Sequence, residues 1–299
     1  MKFSDKSKKL LFVGGDLRQI YAINKIARMG NSVFVLAFDT EYMEKLADGV
    51  QLLYDTSEIE EVYDAVVLPL PYSTDGKVIN TPLWRQKLMV SEVFSNVSGK
   101  NKILAGRCDT KIKAMAESHR VMLVDYLCRE ELAMLNAIPT AEGAIQIAMS
   151  ETPYTLHGSR CLIAGGGRIA RILAKMLAGI GARVTFAARK KGDLAYAFAM
   201  GYDTCDIHTL SDSVGDFDVI FNTVPSLVFD YDLLSKMKKN VIVIDLASKP
   251  GGVDFDEARR QGIKVIWALS LPGKVAPDTA GDIICSTILN IVEEMEGNE

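Results

Sequence analysis

Short apolar runs recur along the chain, separated by polar stretches and by stretches with the spacing of amphipathic helices. The runs at Leu10–Val13 and Val33–Leu36 reappear in the second half at a constant offset of 151 residues, which pairs Gly14 with Gly165. Apolar runs without polar alternation are typical of parallel strands that helices cover on both faces. The pattern therefore predicts a β-α-β unit at the same place in each half of the chain.

Further apolar runs complete each half. They are Asp64–Pro71, Ile103–Ala105 and Val121–Val124 in the first half, and Asp218–Pro225, Val241–Ile244 and Val265–Trp267 in the second. A stretch at 152–158 with Pro153 and Gly158 interrupts a helical pattern. We therefore predict an α/β protein of two doubly wound parallel-sheet domains, residues 1–150 and 151–299. A closing helix is predicted over Asp278–Met295, with an apolar stripe that either covers its own sheet or crosses to the first domain.

The second half contains a glycine-rich turn between a predicted strand and a predicted helix. It reads Gly165-Gly166-Gly167-Arg168-Ile169-Ala170, a G-x-G-x-x-A motif. In this context Gly165 permits a tight turn, Gly167 lets a pyrophosphate approach the backbone, and the helix N-terminus offers free N–H groups. We expect a Rossmann dinucleotide site here; the alternative is a tight turn in a nucleotide-free domain.

The equivalent turn of the first half departs from this motif. Asp16 stands where the second half has Gly167, and Gln19 stands where it has Ala170. A negatively charged side chain at that position opposes a pyrophosphate. We therefore interpret the first domain as a degenerate Rossmann or flavodoxin-like domain that binds substrate, and place the nucleotide in the second domain alone.

The end of the second strand of the nucleotide domain indicates which dinucleotide binds. NAD sites usually place an acidic residue there to accept hydrogen bonds from the ribose 2′-OH. This chain has Ala188 followed by Arg189, Lys190 and Lys191, and a guanidinium fork suits a 2′-phosphate. The sequence favours NADP, with a solvated basic loop as the alternative.

A second segment lies on the same predicted edge of the sheet. It consists of Asn222, Thr223, Val224 and Pro225 at the end of an apolar run. Open α/β sheets bind ligands at the carboxyl ends of their strands, so we expect this segment to line the nicotinamide side of the site. Capping of the following turn is the alternative role for its polar side chains.

Composition narrows the class of protein. The 299 residues carry 34 basic and 38 acidic side chains, a net charge of −4 that argues against a broad nucleic-acid-binding surface. The five cysteines form no C-x-x-C pair, so we expect reduced thiols in a cytoplasmic protein and no metal site. No run approaches about 20 apolar residues, and the run after the polar N-terminus is too short for a signal peptide, so we expect no membrane segment.

Several motifs together resemble a known family. They are Gly14-Gly15-Asp16 with Arg18-Gln19, Ile138–Ala144, Tyr154–Gly158, the glycine turn, Asn222–Ser226, Asp245–Gly252, Leu271–Pro277 and Thr279–Gly281. In this order they resemble the A subunits of bacterial dipicolinate synthases over nearly the whole chain. Ala170 is a small departure, because a glycine is also common there.

The resemblance implies an activity and a setting. It implies a sporulation enzyme of the mother-cell cytoplasm that oxidises a dihydrodipicolinate precursor to pyridine-2,6-dicarboxylate, together with a flavoprotein-like B subunit. Two alternatives stay open: an NADP-dependent dehydrogenase of the shikimate or amino-acid type, and a non-catalytic NADP-binding regulatory subunit. The sequence also leaves open a homo-oligomer.

A small dicarboxylate substrate would need cations or hydroxyls in the cleft that we expect between the two domains. Candidates at predicted strand ends and in motif loops are Arg18, Ser73, Thr74, Arg107, Lys249 and Lys274. Arg18 is alternatively an exposed helix-face arginine, Ser73 and Thr74 alternatively form a turn, and Lys274 alternatively has a structural role in its loop. No catalytic base is assigned, since Asp16, Glu142 and Asp245 cannot be ranked.

Overall fold

The structure, a computed structural model, describes residues 7–59, 62–97 and 99–297. The first six residues of the polar N-terminus lie outside this part of the chain. The first half contains β1 (Lys9–Val13), α1 (Leu17–Arg28), β2 (Ser32–Leu36), β3 (Gln51–Leu53), β4 (Ala65–Val67), α2 (Val90–Asn96), β5 (Lys102–Ala105), α3 (Thr110–His119), β6 (Met122–Asp125) and α4 (Glu130–Glu151).

The second half repeats the alternation of strands and helices. It contains β7 (Arg160–Ala164), α5 (Arg168–Gly179), β8 (Arg183–Ala188), α6 (Lys191–Ala199), β9 (Asp203–Asp206), β10 (Val219–Asn222), α7 (Tyr231–Ser235), β11 (Ile242–Asp245), α8 (Phe255–Gln261), β12 (Lys264–Trp267), α9 (Leu271–Val275) and α10 (Pro277–Glu296). No helix within the described ranges is long and apolar enough to cross a membrane.

The strands of the described residues form two six-stranded parallel sheets. Their orders are β3-β2-β1-β4-β5-β6 and β12-β11-β10-β7-β8-β9. The strand order reverses between β1 and β4 in the first sheet, and between β7 and β10 in the second. The prediction of two doubly wound parallel sheets is confirmed, and each sheet has the crevice at which such folds bind ligands.

The central strands are buried on both faces. Leu10, Leu11 and Phe12 of β1 are fully buried, and Cys161 and Leu162 of β7 are buried as completely. Successive side chains of a strand point to opposite faces, so continuous burial requires cover on both sides of the sheet. This explains why the runs in the sequence lack polar alternation.

The chain divides into two compact units at places that differ from the predicted boundaries of 1–150 and 151–299. One unit consists of two segments of the chain, the residues up to Leu135 and those from Ala276 onward. The other unit is Asn136–Val275. The first division lies inside α4, whose Ala144 and Ala148 pack in the core of the second sheet. Pro139 lies just beyond this division and has no N–H to donate to the carbonyl of Leu135.

The second division assigns the closing helix to the first unit. Ile284 and Ile288 of α10 share a core with Ile23 of α1. The two helices are so close at Gly281 that a Cβ there would lie 2.7 Å from the carbonyl oxygen of Arg18. The predicted helix is therefore confirmed, and of the two alternatives for its apolar stripe the structure selects cover for the first sheet.

Candidate functional site

The three glycines after β7 have different surroundings. Gly165 has a φ of +117°, and a Cβ there would lie 2.1 Å from Thr223 Oγ1. At Gly166 a Cβ would lie 2.2 Å from the carboxyl group of Asp193, whereas at Gly167 no heavy atom lies within 4 Å. The fold itself needs the first two glycines. The third leaves open space, which is what the close approach of a pyrophosphate requires.

The helix that starts after this turn lacks a side-chain cap. Gly167 is the N-cap residue of α5 and offers no side chain to the N–H groups of the first turn. These groups have no partner within the helix and attract anions. Arg168 is exposed and Ile169 packs against the core, and the backbone N–H groups of both belong to this first turn.

A cavity of about 710 Å³ opens next to the glycine turn. Its walls include the turn, the end of β8 and the segment after β10. The lining residues are Gly165–Gly167, Arg171, Ala188–Lys190, Asp193, Ile207, His208 and Thr223–Val228. This volume lies in the usual range for pockets that hold a small ligand or cofactor.

Two cations of the cavity have no acidic partner among the described residues. Arg189 and Lys190 are exposed at the end of β8 and enter no salt bridge. Lys191 is committed, since its Nζ lies 2.6 Å from Asp206 Oδ2. That hydrogen bond holds the pKa of Asp206 below its usual value. The charge available to a ligand therefore comes from Arg189 and Lys190.

The cavity also contains an ion pair that sequence reasoning missed. Arg171 Nη2 lies 3.0 Å from Asp193 Oδ1, and Arg171 Nε donates to the carbonyl oxygen of Gly166 at 3.1 Å. The guanidinium also lies over the ring of Tyr196, 4.4 Å from its centroid. The only signal in the sequence is the place of Arg171 one helical turn beyond Gly167, which does not reveal the partner.

The segment after β10 divides into structural and lining residues. Asn222 is fully buried; its Nδ2 donates to Val224 O at 3.0 Å, and its Oδ1 accepts from Val224 N at 3.1 Å. Thr223 Oγ1 donates to Ala164 O at 2.9 Å. Thr223, Val224 and Pro225 line the cavity, but Asn222 does not. The structure thus gives the Asn222 side chain the alternative role of holding the turn.

The equivalent turn of the first unit is closed by its own residues. Asp16 caps α1 and accepts from Arg18 N at 3.0 Å. A Cβ on Gly15 would lie 2.2 Å from Gln19 Cγ, and one on Gly14 would lie 2.5 Å from Thr81 Cγ2. The carboxylate of Asp16 therefore occupies the place that an anionic ligand takes at an uncapped helix.

The candidates for substrate binding differ in whether their side chains already have hydrogen-bond partners within the chain. Arg18 is not the open cation that the sequence suggested, because its Nη2 lies 2.8 Å from Asp16 Oδ2 and 2.5 Å from Leu70 O. Ser73 makes the alternative turn, since its Oγ accepts from Gly76 N at 2.9 Å. Serine side chains commonly accept such hydrogen bonds from the backbone of a turn.

The other candidates are exposed. Thr74, Arg107, Lys249 and Lys274 have no side-chain partner among the described residues. Arg107 lies at the carboxyl end of β5 with a φ of +65°, a left-handed conformation that is uncommon for a residue with a side chain. Such conformations cluster at functional sites, which sets Arg107 apart from the other three.

Two of the three acidic candidates for a catalytic base are already paired or fully buried. Asp16 is paired with Arg18, and Asp245 is fully buried. Glu142 is exposed on α4. The half-buried thiol of Cys108 also lies at the carboxyl edge of the first sheet, but burial raises its pKa to about 12. It is therefore protonated at neutral pH and unsuited to act as a nucleophile.

The fold and the cavity define a dinucleotide-binding protein of the dehydrogenase class. Residues 129–252 match a family model described as "D-isomer specific 2-hydroxyacid dehydrogenase, NAD binding domain". Residues 9–127 match the family model for the N-terminal domain of dipicolinate synthase A subunits. These matches confirm the expected nicotinamide dinucleotide domain in the second half.

Whole-chain relatives agree with the second match. The chain is 31% identical to the dipicolinate synthase A subunit of Bacillus subtilis over 97% of its length and 98% of the relative. The solved structure of the Bacillus subtilis A chain has a TM-score of 0.90, 31% identity and coverage of 98% of both chains. The structure of the Bacillus halodurans A subunit has a TM-score of 0.88 and 30% identity, over 95% of this chain and 97% of that one. The chain belongs to the family of dipicolinate synthase A subunits.

Replacement of Gly167 by Val tests the location of the cofactor site. The side chain would enter open space, so we expect the fold to be kept and nicotinamide dinucleotide affinity to fall at least about a hundredfold, because a branched side chain blocks the pyrophosphate. Calorimetric titration measures the affinity. The control is Asp16→Asn, which keeps a capping oxygen on α1 and should leave the affinity unchanged; equal losses in both variants would contradict a single site in the second unit.

Proposed function

We propose that the chain is an NADP-dependent oxidoreductase that converts a dihydrodipicolinate precursor to pyridine-2,6-dicarboxylate. The observation that carries this proposal is the open cavity with Arg189 and Lys190 unpaired beside an uncapped helix N-terminus, in a member of the family of dipicolinate synthase A subunits. The names of the relatives supply the product, and the cavity supplies the cofactor class.

The preference for NADP is supported by the charges at the end of β8. A 2′-phosphate gains charge-assisted hydrogen bonds from Arg189 and Lys190. The opposing feature is Asp193, since a carboxylate near the adenosine ribose is typical of NAD sites. Asp193 is already paired with Arg171, so its charge is offset within the cavity. The net charge open to the ligand is positive, which favours NADP.

The reaction requires little acid–base catalysis by the protein. A dihydropyridine that loses a hydride and a proton becomes an aromatic pyridine, so the substrate itself supplies much of the driving force. When bound, the nicotinamide supplies the hydride acceptor. The task of the chain is to hold the two reactants in a productive orientation, which by itself contributes a large part of such rate enhancements.

The dicarboxylate needs cationic partners, and the first unit offers Arg107. Arg107 is exposed at the carboxyl edge of the first sheet, where open α/β sheets bind ligands, and no side chain that the structure describes pairs with its guanidinium. Thr74 of the first unit is an exposed hydroxyl, Lys274 is an exposed cation of the second unit, and Arg18 is held by Asp16. We therefore place Arg107 first among the groups that bind a substrate carboxylate.

The relatives are named as A subunits, and this naming supports a complex with a second protein. We propose that this partner is a flavoprotein-like B subunit, in the mother-cell cytoplasm of a sporulating bacterium. A regulatory role for the chain is the second candidate function. The observation in its favour is that Asp16 and Asp245, two of the three acidic candidates for a catalytic base, already accept hydrogen bonds within the chain.

Turnover by the purified chain distinguishes these two functions. With NADP and freshly generated dihydrodipicolinate precursor, we expect reduced cofactor and pyridine-2,6-dicarboxylate to form in equal amounts. If the B subunit is needed, the complex should lose this activity when the chain carries Gly167→Val. Full turnover by the complex with that variant would instead support the regulatory role, since the chemistry would then not use the cofactor site of this chain.

The exchange Arg189→Asp tests the choice of dinucleotide. It removes a charge-assisted hydrogen bond and adds a repelling charge, so NADP affinity should fall at least about tenfold while NAD affinity holds or improves. The matched control is Arg183→Asp, an equal charge change on an exposed residue at the other end of β8. An unchanged ratio of NADP to NAD affinity in Arg189→Asp would mean that Arg189 only faces solvent.

The exchange Arg107→Ala tests the substrate site. Loss of a charge-assisted contact should weaken binding of pyridine-2,6-dicarboxylate about ten- to a hundredfold and leave NADP affinity intact, as read by calorimetry. Arg120→Ala is the matched control, because Arg120 is also an exposed arginine with a positive φ, 55°, but lies after α3. Equal dicarboxylate affinity in both variants would exclude Arg107.

A further inference from the structure

An ion pair lies beside the glycine turn of the second unit, and both of its members line the cavity. Arg171 Nη2 lies 3.0 Å from Asp193 Oδ1, and Arg171 Nε donates to the carbonyl oxygen of Gly166 at 3.1 Å. A Cβ on Gly166 would lie 2.2 Å from the carboxyl group of Asp193. Two side chains that are hydrogen-bonded to each other therefore hold Gly166, one at its oxygen and one at the place of its missing Cβ.

Helix geometry explains how Arg171 reaches the turn that precedes its own helix. Side chains of a helix lean toward its N-terminus, and Arg171 lies one turn after the N-cap residue Gly167. The guanidinium is fixed further by the ring of Tyr196, whose centroid lies 4.4 Å from its central carbon. Asp193 is the acidic residue in the first turn of α6. The pair thus connects the starts of two helices to the glycine turn.

Three consecutive glycines need such a restraint. Glycine loses more conformational freedom than any other residue when its backbone is fixed. The N–H of Gly165 is held, since it donates to Ala187 O at 2.8 Å. The N–H of Gly167 has no hydrogen-bond partner among the residues that the structure describes. The hydrogen bond from Arg171 Nε is therefore the described contact that restrains the peptide between Gly166 and Gly167.

The orientation of this peptide decides which of its two polar groups a ligand meets. The bond between Gly166 and Gly167 is trans, so its C=O and N–H point in opposite directions. Arg171 holds the oxygen on its own side, and the N–H is thereby turned to the opposite side. Rotation of the peptide would exchange the two groups. An N–H attracts a phosphate, whereas a carbonyl oxygen in its place repels one.

The equivalent positions of the first unit lack this pair. At the offset of 151 residues, Ile20 corresponds to Arg171 and Tyr42 corresponds to Asp193. The helix after the first strand of that unit is capped by Asp16, so its turn is not open to an anion. The pair is thus present in the unit whose glycine turn is open and missing from the unit whose turn is closed.

We propose that Arg171, held by Asp193, is a positioning residue for the dinucleotide. Because Arg171 binds the oxygen of Gly166, the turn meets the pyrophosphate with the N–H of Gly167. Asp193 orients Arg171, and Arg171 in turn offsets a carboxylate that would otherwise oppose the phosphates. This inference rests on the proposed function, because it requires a dinucleotide at the glycine turn.

Two variants of equal charge test this role. In Arg171→Gln the amide nitrogen is as many bonds from the backbone as Nε of arginine and still donates, whereas the similarly long side chain of Arg171→Met has no donor. Both variants lose the positive charge, so the difference between them reports the hydrogen bond to Gly166. Arg171→Met should bind NADP at least about fivefold more weakly than Arg171→Gln, as measured by calorimetry.

A fragment of the cofactor supplies the control. Adenosine 2′-monophosphate carries the 2′-phosphate of NADP but no pyrophosphate, so both variants should bind it equally within about twofold. The side chain of Arg171 is 43% exposed, and we expect both variants to fold. If one does not, Asp193→Asn and Asp193→Leu replace them, because only asparagine keeps an acceptor for Arg171; the leucine variant should then bind NADP at least about fivefold more weakly.

The outcomes are separable. Equal NADP affinities in the two variants would mean that Arg171 acts through its charge alone, and would overturn the positioning role. The same difference with adenosine 2′-monophosphate would mean that the whole cavity is loosened, and would also overturn it. Preference for NAD over NADP, with the difference between the variants kept, would refute the NADP assignment but support Arg171. Absence of any dinucleotide binding by the wild-type chain would overturn both proposals.

Discussion

What each unit of this protein can bind depends on which group accepts hydrogen bonds from the N-terminus of the helix after its first strand. The first-turn N–H groups of an α-helix have no partner within the helix, and they need an oxygen from somewhere. In the first unit Asp16 supplies its own carboxylate. In the second unit Gly167 supplies none and has no heavy atom near the place of a Cβ. The two units share one architecture, but the turn of the first is closed by its own carboxylate, whereas the turn of the second is open to an anionic ligand.

The sequence predicted the central strands, the helix of each β-α-β unit and the closing helix, because strands buried on both faces leave a continuous apolar run and amphipathic helices leave an apolar stripe. It did not reveal β3 and β9, the outer strands of the two sheets on the side of β2 and β8. An outer strand has one neighbouring strand and more contact with solvent. The sequence of β9, Asp203–Asp206, contains two aspartates and no apolar run, and both Asp203 and Thr204 are exposed. Hydrophobic patterning carries no signal for such a strand.

The hydrogen-bond and ion-pair partners of side chains were harder to predict than the positions of the backbone. The glycine turn, the basic end of β8 and the segment after β10 all line one cavity, as the motifs indicated. The forked contact of Arg18 with Asp16 and the pairing of Arg171 with Asp193 were not foreseen. Such pairs depend on rotamers and on which loops meet, which are tertiary properties. For the same reason the sequence could not assign α10 to the first unit, although it predicted the helix.

The charges of the second unit are distributed so that the positive charge open to a ligand lies at one end of the cavity. Arg189 and Lys190 stay open at the end of β8, whereas the other cations near them, Arg171 and Lys191, are paired with Asp193 and Asp206. On the far side of the strand reversal, the carboxyl group of Asp245 is buried and accepts hydrogen bonds from N–H groups only. A ligand that carries a phosphate therefore gains charge-assisted hydrogen bonds from side chains at the end of β8. The pairing of Arg171 and Lys191 matters as much as the two open cations, since it leaves the available positive charge concentrated at that end of the cavity.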